Sequence, residues 1–138
     1  MEMRRVGLVL VLGAMVVGGV VAQGVLPGAR LFHSMVYDTV RAKIVLFGGF
    51  ANTIPLGDTW EWDGVSWEQK TPISSPSPRG SGAMAFDPIR QRCVYFGGYV
   101  NGVPGVSETW EWDGVTWHSI PAPGPSARQH HQIVFSPS

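Results

Sequence analysis

Three arginines stand 49 residues apart, at Arg30, Arg79 and Arg128, each after a stretch rich in glycine or proline. A guanidinium is a rigid fork of donors, suited to a carboxylate or a carbonyl of either a ligand or the protein itself. The other residues with chemistry to offer are four histidines, one cysteine, and two glutamates, Glu61 and Glu111, set between tryptophans. His130 and His131 are the one adjacent histidine pair, and neighbours on a strand point to opposite faces, which is poor geometry for a shared metal. His33 and His118 stand apart from them, so neither a metal site nor a cofactor is expected. No Gly-x-Ser-x-Gly elbow marks a nucleophile. No glycine loop opens a helix to cradle phosphate.

The elements that must position these residues are set by a repeat. Thr59-Trp60-Glu61-Trp62-Asp63-Gly64-Val65-Ser66-Trp67 returns as Thr109-Trp110-Glu111-Trp112-Asp113-Gly114-Val115-Thr116-Trp117, and the two copies hold all six tryptophans. Gly48-Gly49 returns as Gly97-Gly98, and Asp38 as Asp87, again 49 residues on. The tryptophan segments are 50 apart, so one residue has entered between Phe50–Gly57 and Tyr99–Ser107, where a loop absorbs it cheaply.

Each period reads as four strands. The first is His33–Tyr37 or Gly82–Phe86, followed by a turn that Asp38 or Asp87 begins. The second is Lys43–Phe47 or Arg92–Phe96, continuously apolar at Ile44-Val45-Leu46-Phe47 and therefore expected to be buried on both faces. Cys93 aligns with Ile44 and is read as a packing residue; as a single cysteine it forms no intrachain disulfide. The double glycine is expected to end this strand. The third strand is Asp58–Trp62 or Glu108–Trp112. Alternation puts Trp60 and Trp62 on one face, Thr59 and Glu61 on the other. Asp63-Gly64 suggests a tight turn into a fourth strand carrying Trp67. The tryptophans are read as wedges between sheets, with a sugar-stacking box as the functional alternative. Glu61 and Glu111 are read as a solvated or turn-bracing set. Pro-rich segments, Pro72–Pro78 and Pro121–Ser126, link one period to the next.

Ten basic residues balance ten acidic ones, which gives no sign of a nucleic-acid or membrane-surface partner. With 18 glycines and 11 prolines, the composition favours short strands and turns over helices. Residues 1–22 have the layout of a secretory signal peptide: Arg4-Arg5, an uncharged stretch from Val6 to Val21, and small residues before a cleavage point between Ala22 and Gln23. The apolar run is short for a bilayer span, so no stable membrane anchor is expected and the chain is expected to be secreted or periplasmic.

Together these features resemble the kelch repeat: a double glycine after the second strand, then Trp60 and Trp67, or Trp110 and Trp117, at the family's spacing. The resemblance covers Arg30 to Phe135 and implies an all-β fold of propeller blades, each a four-stranded antiparallel sheet. On this reading residues 23–78 are the first repeat, 79–127 the second, and 128–138 the start of a third, with His131–Phe135 as its first strand. A propeller ring needs more blades than two, so three readings stand open. The chain is a fragment of a longer propeller, a unit that completes a ring by self-association, or an open two-blade unit. The implied role is non-catalytic binding of a protein or carbohydrate ligand. Arg30, Arg79 and Arg128, with Asn52 and Asn101 in the loops, are the candidate contacts; the alternative role of the arginines is to brace the linkers. Some secreted relatives of this architecture are galactose-oxidase-like copper enzymes. Tyr37, Tyr95, Tyr99 and Cys93 do not map onto such a site residue by residue.

Overall fold

The computed structural model describes residues 25–137, so the signal-peptide segment lies outside the described residues. Among the described residues there is no helix, and hence none long and apolar enough to cross a membrane. Eight strands form: β1 Ser34–Asp38, β2 Lys43–Ala51, β3 Ile54–Trp62, β4 Trp67–Lys70, β5 Ala83–Asp87, β6 Arg92–Phe96, β7 Thr109–Trp112 and β8 Trp117–Ile120. They make two antiparallel four-stranded sheets, β1-β2-β3-β4 and β5-β6-β7-β8, each a meander with sequential neighbours paired. The fold is all-β, built from two blade-like units, as expected.

Aspartate sets the four tight connections. The Oδ1 atoms of Asp38, Asp63, Asp87 and Asp113 each accept the backbone N–H groups two and three residues on, within 2.7–3.0 Å. This Asx arrangement closes the loop before the next strand pairs. The segment after Trp62 is thus a four-residue loop, Asp63–Ser66, between the paired Trp62 and Trp67, longer than the turn expected from Asp63-Gly64 alone.

The double glycine does more than stop a strand. β6 ends at Phe96, just before Gly97, but β2 runs on through an irregularity between Phe47 and Gly49 to Ala51, where it pairs with Ile54. Gly48 and Gly97 have φ of 66° and 72°, and a Cβ on either would collide with the backbone carbonyl oxygen of Arg79 or Arg128. The next repeat's arginine backbone thus crosses directly over the glycine pair. Gly49 N donates to Arg79 O at 2.9 Å and Gly98 N to Arg128 O at 3.0 Å.

The core lies between the sheets. Val45, Phe47, Thr59 and Glu61 share one face of the first sheet by register, and Phe86, Cys93, Tyr95, Trp112 and Trp117 share one face of the second. The apolar members of these two sets form one buried cluster. The Phe47 ring sits 5.1 Å from both Tyr95 and Trp117, centre to centre. Unlike faces therefore meet: the tryptophan face of the second sheet covers the threonine–glutamate face of the first. Trp112 is 0% exposed and Trp117 1%. An indole hides about 200 Å², worth up to about 5 kcal/mol, against about 1 kcal/mol for a hydrogen bond. Packing stabilises the junction and polar contacts set its register.

The third period begins in register. Arg128 N donates to Val106 O, and His130 N to Ser81 O, as Arg79 N and Ser81 N donate to Leu56 O and Phe32 O. The expected strand at His131–Phe135 is not formed, because residues 131–137 have no ladder partner among the described residues and a strand is stable only when paired.

Candidate binding end

Two of the three arginines are held within their own repeats. Arg30 donates two bonds to the Asp58 carboxylate, at 2.6 and 2.8 Å, and one each to the carbonyls of Gly48 and Gly28. Arg79 repeats this with Glu108 at 2.7 Å, Ser77 O and Oγ, and a longer contact to Gly97 O. Arg79 is 1% exposed, so its guanidinium faces the protein rather than solvent. Geometry thus gives Arg30 and Arg79 the bracing role. Arg128 is exposed, and its guanidinium bonds only to Ser126 O and Oγ among the described residues.

Each bracing carboxylate also takes an indole: Trp60 Nε1 donates to Asp58 at 2.6 Å and Trp110 Nε1 to Glu108 at 3.0 Å. Burial works against the charge on Asp58 and Glu108, but these donors outweigh it and hold both carboxyls below their ordinary values.

Glu61 and Glu111 are buried, which corrects the solvated reading. Glu61 accepts Trp112 Nε1 on Oε1 and Lys43 on Oε2, while Glu111 takes a two-pronged bond from Arg90 at 2.6 and 2.7 Å. A glutamate flanked by tryptophans on a strand looks solvent-facing in one sheet, but the second sheet covers Glu61, and Arg90 lies against Glu111.

Asn52 and Asn101 are exposed at the tips of the β2–β3 and β6–β7 connections. Asn52 has a φ of 55°; after Asn101, Gly102 has a φ of 82° and Val103 N closes on Val100 O at 2.7 Å. These equivalent tips stand at the same end of the two sheets, beside an aromatic patch the sequence did not announce. Phe32, Ser81 and His130, spaced by 49 residues, all have positive φ, between 55° and 61°. Their backbones link in series: Ser81 N donates to Phe32 O and His130 N to Ser81 O, both at 2.8 Å. Phe32 is 56% exposed and lies edge-on to His130 (5.6 Å) and to Phe50 (6.5 Å); Phe50 in turn packs against Tyr99 at 5.9 Å. A bulky side chain in left-handed backbone costs about 1–3 kcal/mol and tends to mark a site where orientation matters. The signal was there in the 49-residue spacing. It was hidden because phenylalanine, serine and histidine share no side-chain chemistry.

Other reactive groups are spent elsewhere. Burial pushes the Cys93 thiol up to about 12 and the Tyr95 phenol likewise to about 12. His118 pairs with Asp113 at 2.8 Å, and His131 lies edge-on to Phe96 at 5.4 Å. Among the described residues, no three His, Cys, Asp or Glu side chains are grouped to hold a metal ion. What the end can do chemically is stack planar or apolar groups on Phe32, Phe50, Tyr99 and His130 and hydrogen-bond them through Asn52 and Asn101.

No protein-family model matches this chain, and no curated protein matches it significantly.

Proposed function

We propose that the chain is an exported kelch-type propeller segment, part of a longer propeller, that binds a protein or glycan ligand without catalysis. The end carrying Asn52 and Asn101 is the binding surface. The observation that supports this most is the aromatic patch of exposed Phe32 and His130 with half-buried Phe50 and Tyr99, and an amide at each flanking loop tip. Aromatic faces beside amides suit the apolar face and hydroxyls of a sugar ring, or an aromatic side chain of a peptide. The kelch assignment rests on the recurring glycine pairs and tryptophans, and the two four-stranded sheets accord with it.

The test is titration of the purified chain with panels of oligosaccharides and peptides, followed by calorimetry. Saturable binding without turnover is expected. The double variant Phe32→Ala with Tyr99→Ala should lose binding by about tenfold or more while the protein stays folded. Binding that survives this variant, or a ligand that is chemically converted, would sink the proposal.

A further inference from the structure

We infer that two copies of this chain associate head to tail, the tryptophan face of the first sheet in one copy docking on the threonine–glutamate face of the second sheet in the other. The argument is independent of the ligand proposed above, takes self-association as the source of the longer propeller's further blades, and rests on the junction inside the chain. There, Trp112 Nε1 donates to Glu61 Oε1 at 3.0 Å and Trp117 Nε1 to Thr59 Oγ1 at 2.9 Å, around the apolar contacts of Val45 and Phe47.

Both halves of that junction recur on the outward faces. Trp62 and Trp67 repeat Trp112 and Trp117 with nearly the same ring geometry: 5.7 Å and 45° in the first pair, 5.5 Å and 44° in the second. On the second sheet, Val94 and Phe96 repeat Val45 and Phe47, and Thr109 and Glu111 repeat Thr59 and Glu61. Among the described residues, the indole N–H groups of Trp62 and Trp67 meet no acceptor and Thr109 Oγ1 meets no donor. Glu111 holds Arg90, yet each of its oxygens keeps a lone pair for an indole. Donors on one face and acceptors on the other, at matching spacing, are a complementary pair.

The same chemistry excludes a symmetric dimer through either face. Two tryptophan faces would oppose donor to donor, and two glutamate faces would bury carboxylate against carboxylate. The contact is therefore heterologous, and it propagates until it closes. The tryptophan face is itself partly covered, with Trp62 9% exposed and Leu26 and Pro27 lining a cleft with Leu46 and Trp67, so docking displaces what lies over both faces. A cleft of about 420 Å³ separates Val94, Phe96 and Thr109 from Ile133 and Phe135, which belong to the unpaired 131–137 segment. That segment has no ladder to break, so moving it costs little.

Sedimentation velocity on the full chain over a wide concentration range tests this directly. The wild type should shift from monomer to larger species. Val94→Arg spoils the acceptor face and Trp67→Arg the tryptophan face, so each alone should remain monomeric. Mixed in equal amounts, they retain one good face each and should form a heterodimer that grows no further. Thr109→Val, which keeps the shape and removes one hydrogen bond, should weaken association about fivefold while leaving the folded signal intact. A wild type that stays monomeric throughout, single variants that assemble like the wild type, or a mixture that fails to pair would overturn the inference.

Discussion

The indole nitrogen of Trp112 lies 3.0 Å from Oε1 of Glu61, a carboxylate 51 residues earlier and in the other sheet. Glu61 is 3% exposed, and its second oxygen takes the Lys43 ammonium at 2.9 Å. One side chain thus anchors its own sheet and pins the neighbouring one. Its repeat, Glu111, anchors its own sheet through Arg90 instead.

Glu61→Ala should be the costliest polar truncation at the junction. It leaves a buried indole N–H without an acceptor and the Lys43 ammonium with only Glu68, 3.9 Å away, a loss of about 3 kcal/mol. Glu61→Gln keeps one acceptor for Trp112 and should cost about half as much. Urea unfolding followed by tryptophan fluorescence measures both. Equal losses for the two variants would show that the charge on Glu61, rather than its hydrogen bond to Trp112, carries the effect.

Arg79 and Arg128 occupy the same place in successive repeats and should respond differently to the same substitution. Arg79→Met removes a fully buried guanidinium from the Gly97 carbonyl and from Ser77, leaves the half-exposed Glu108 carboxylate with Trp110 Nε1 alone, and should destabilise by about 2 kcal/mol. Arg128→Met removes an exposed guanidinium bonded only to Ser126 and should change stability by less than about 0.5 kcal/mol. Thermal unfolding of the two variants checks the contrast, and similar losses would contradict the bracing geometry.

Cys93 should be inert in the native protein. It is fully buried, and its thiol is pushed up to about 12 by that burial, so almost no thiolate exists at neutral pH. Iodoacetamide should label it only under denaturing conditions. Cys93→Val, a swap towards the aliphatic residue that Ile44 supplies in the first repeat, should cost less than about 1.5 kcal/mol. Rapid labelling of the folded chain would show that the junction opens.

Much of the fold was legible because it repeats. The tryptophan segments and the aspartate turns each recur at one phase and became the same local structure in both sheets, while the glycine pairs share their positive φ but end only β6. Strand ends shifted by a residue or more where pairing, rather than residue type, decides them: β2 runs to Ala51 because Ile54 is there to pair with it. Glu61 was misread because its burial comes from Trp112, in a different sheet, and alternation along one strand cannot show what covers a face. The link between Phe32 and His130 escaped notice because their shared feature is backbone conformation, which side-chain identity does not record.

Acid should weaken the fold in a defined window. Burial opposes the charge on Asp113, but the His118 imidazole and the backbone N–H groups of Thr116 and Val115 prevail, holding the carboxyl at about 2 against an ordinary 3.8. A carboxyl depressed on folding stabilises the native state above its unfolded value, and that contribution is lost as pH falls through the folded value. The loss should therefore run from about pH 4 down to about pH 2, with Asp58 and Glu108, also held below their ordinary values, adding to it. Asp113→Asn keeps the loop acceptor but no longer titrates. Its urea midpoint should fall less steeply over that window than the wild type's, and an identical slope would remove Asp113 from the account.

Two glycines separate backbone strain from backbone collision. Gly64 has a φ of 99° but open space where a Cβ would stand, so Gly64→Ala should pay only for left-handed backbone, about 1 kcal/mol. Gly48 has a φ of 66°, and its Cβ would also strike the Arg79 carbonyl oxygen. That oxygen accepts from Gly49 N at 2.9 Å, so the Arg79 backbone cannot retreat without breaking the bond that ties the second repeat to the first. Gly48→Ala should therefore cost the strain, part of that hydrogen bond and some junction packing, about 3 kcal/mol or more in all. The loss should also reach the second sheet: Trp112 and Trp117 fluorescence should change in the native state of Gly48→Ala but stay unchanged in Gly64→Ala. If both alanines cost the same and leave the tryptophans undisturbed, the glycine pair serves its own turn alone and does not seat the next repeat.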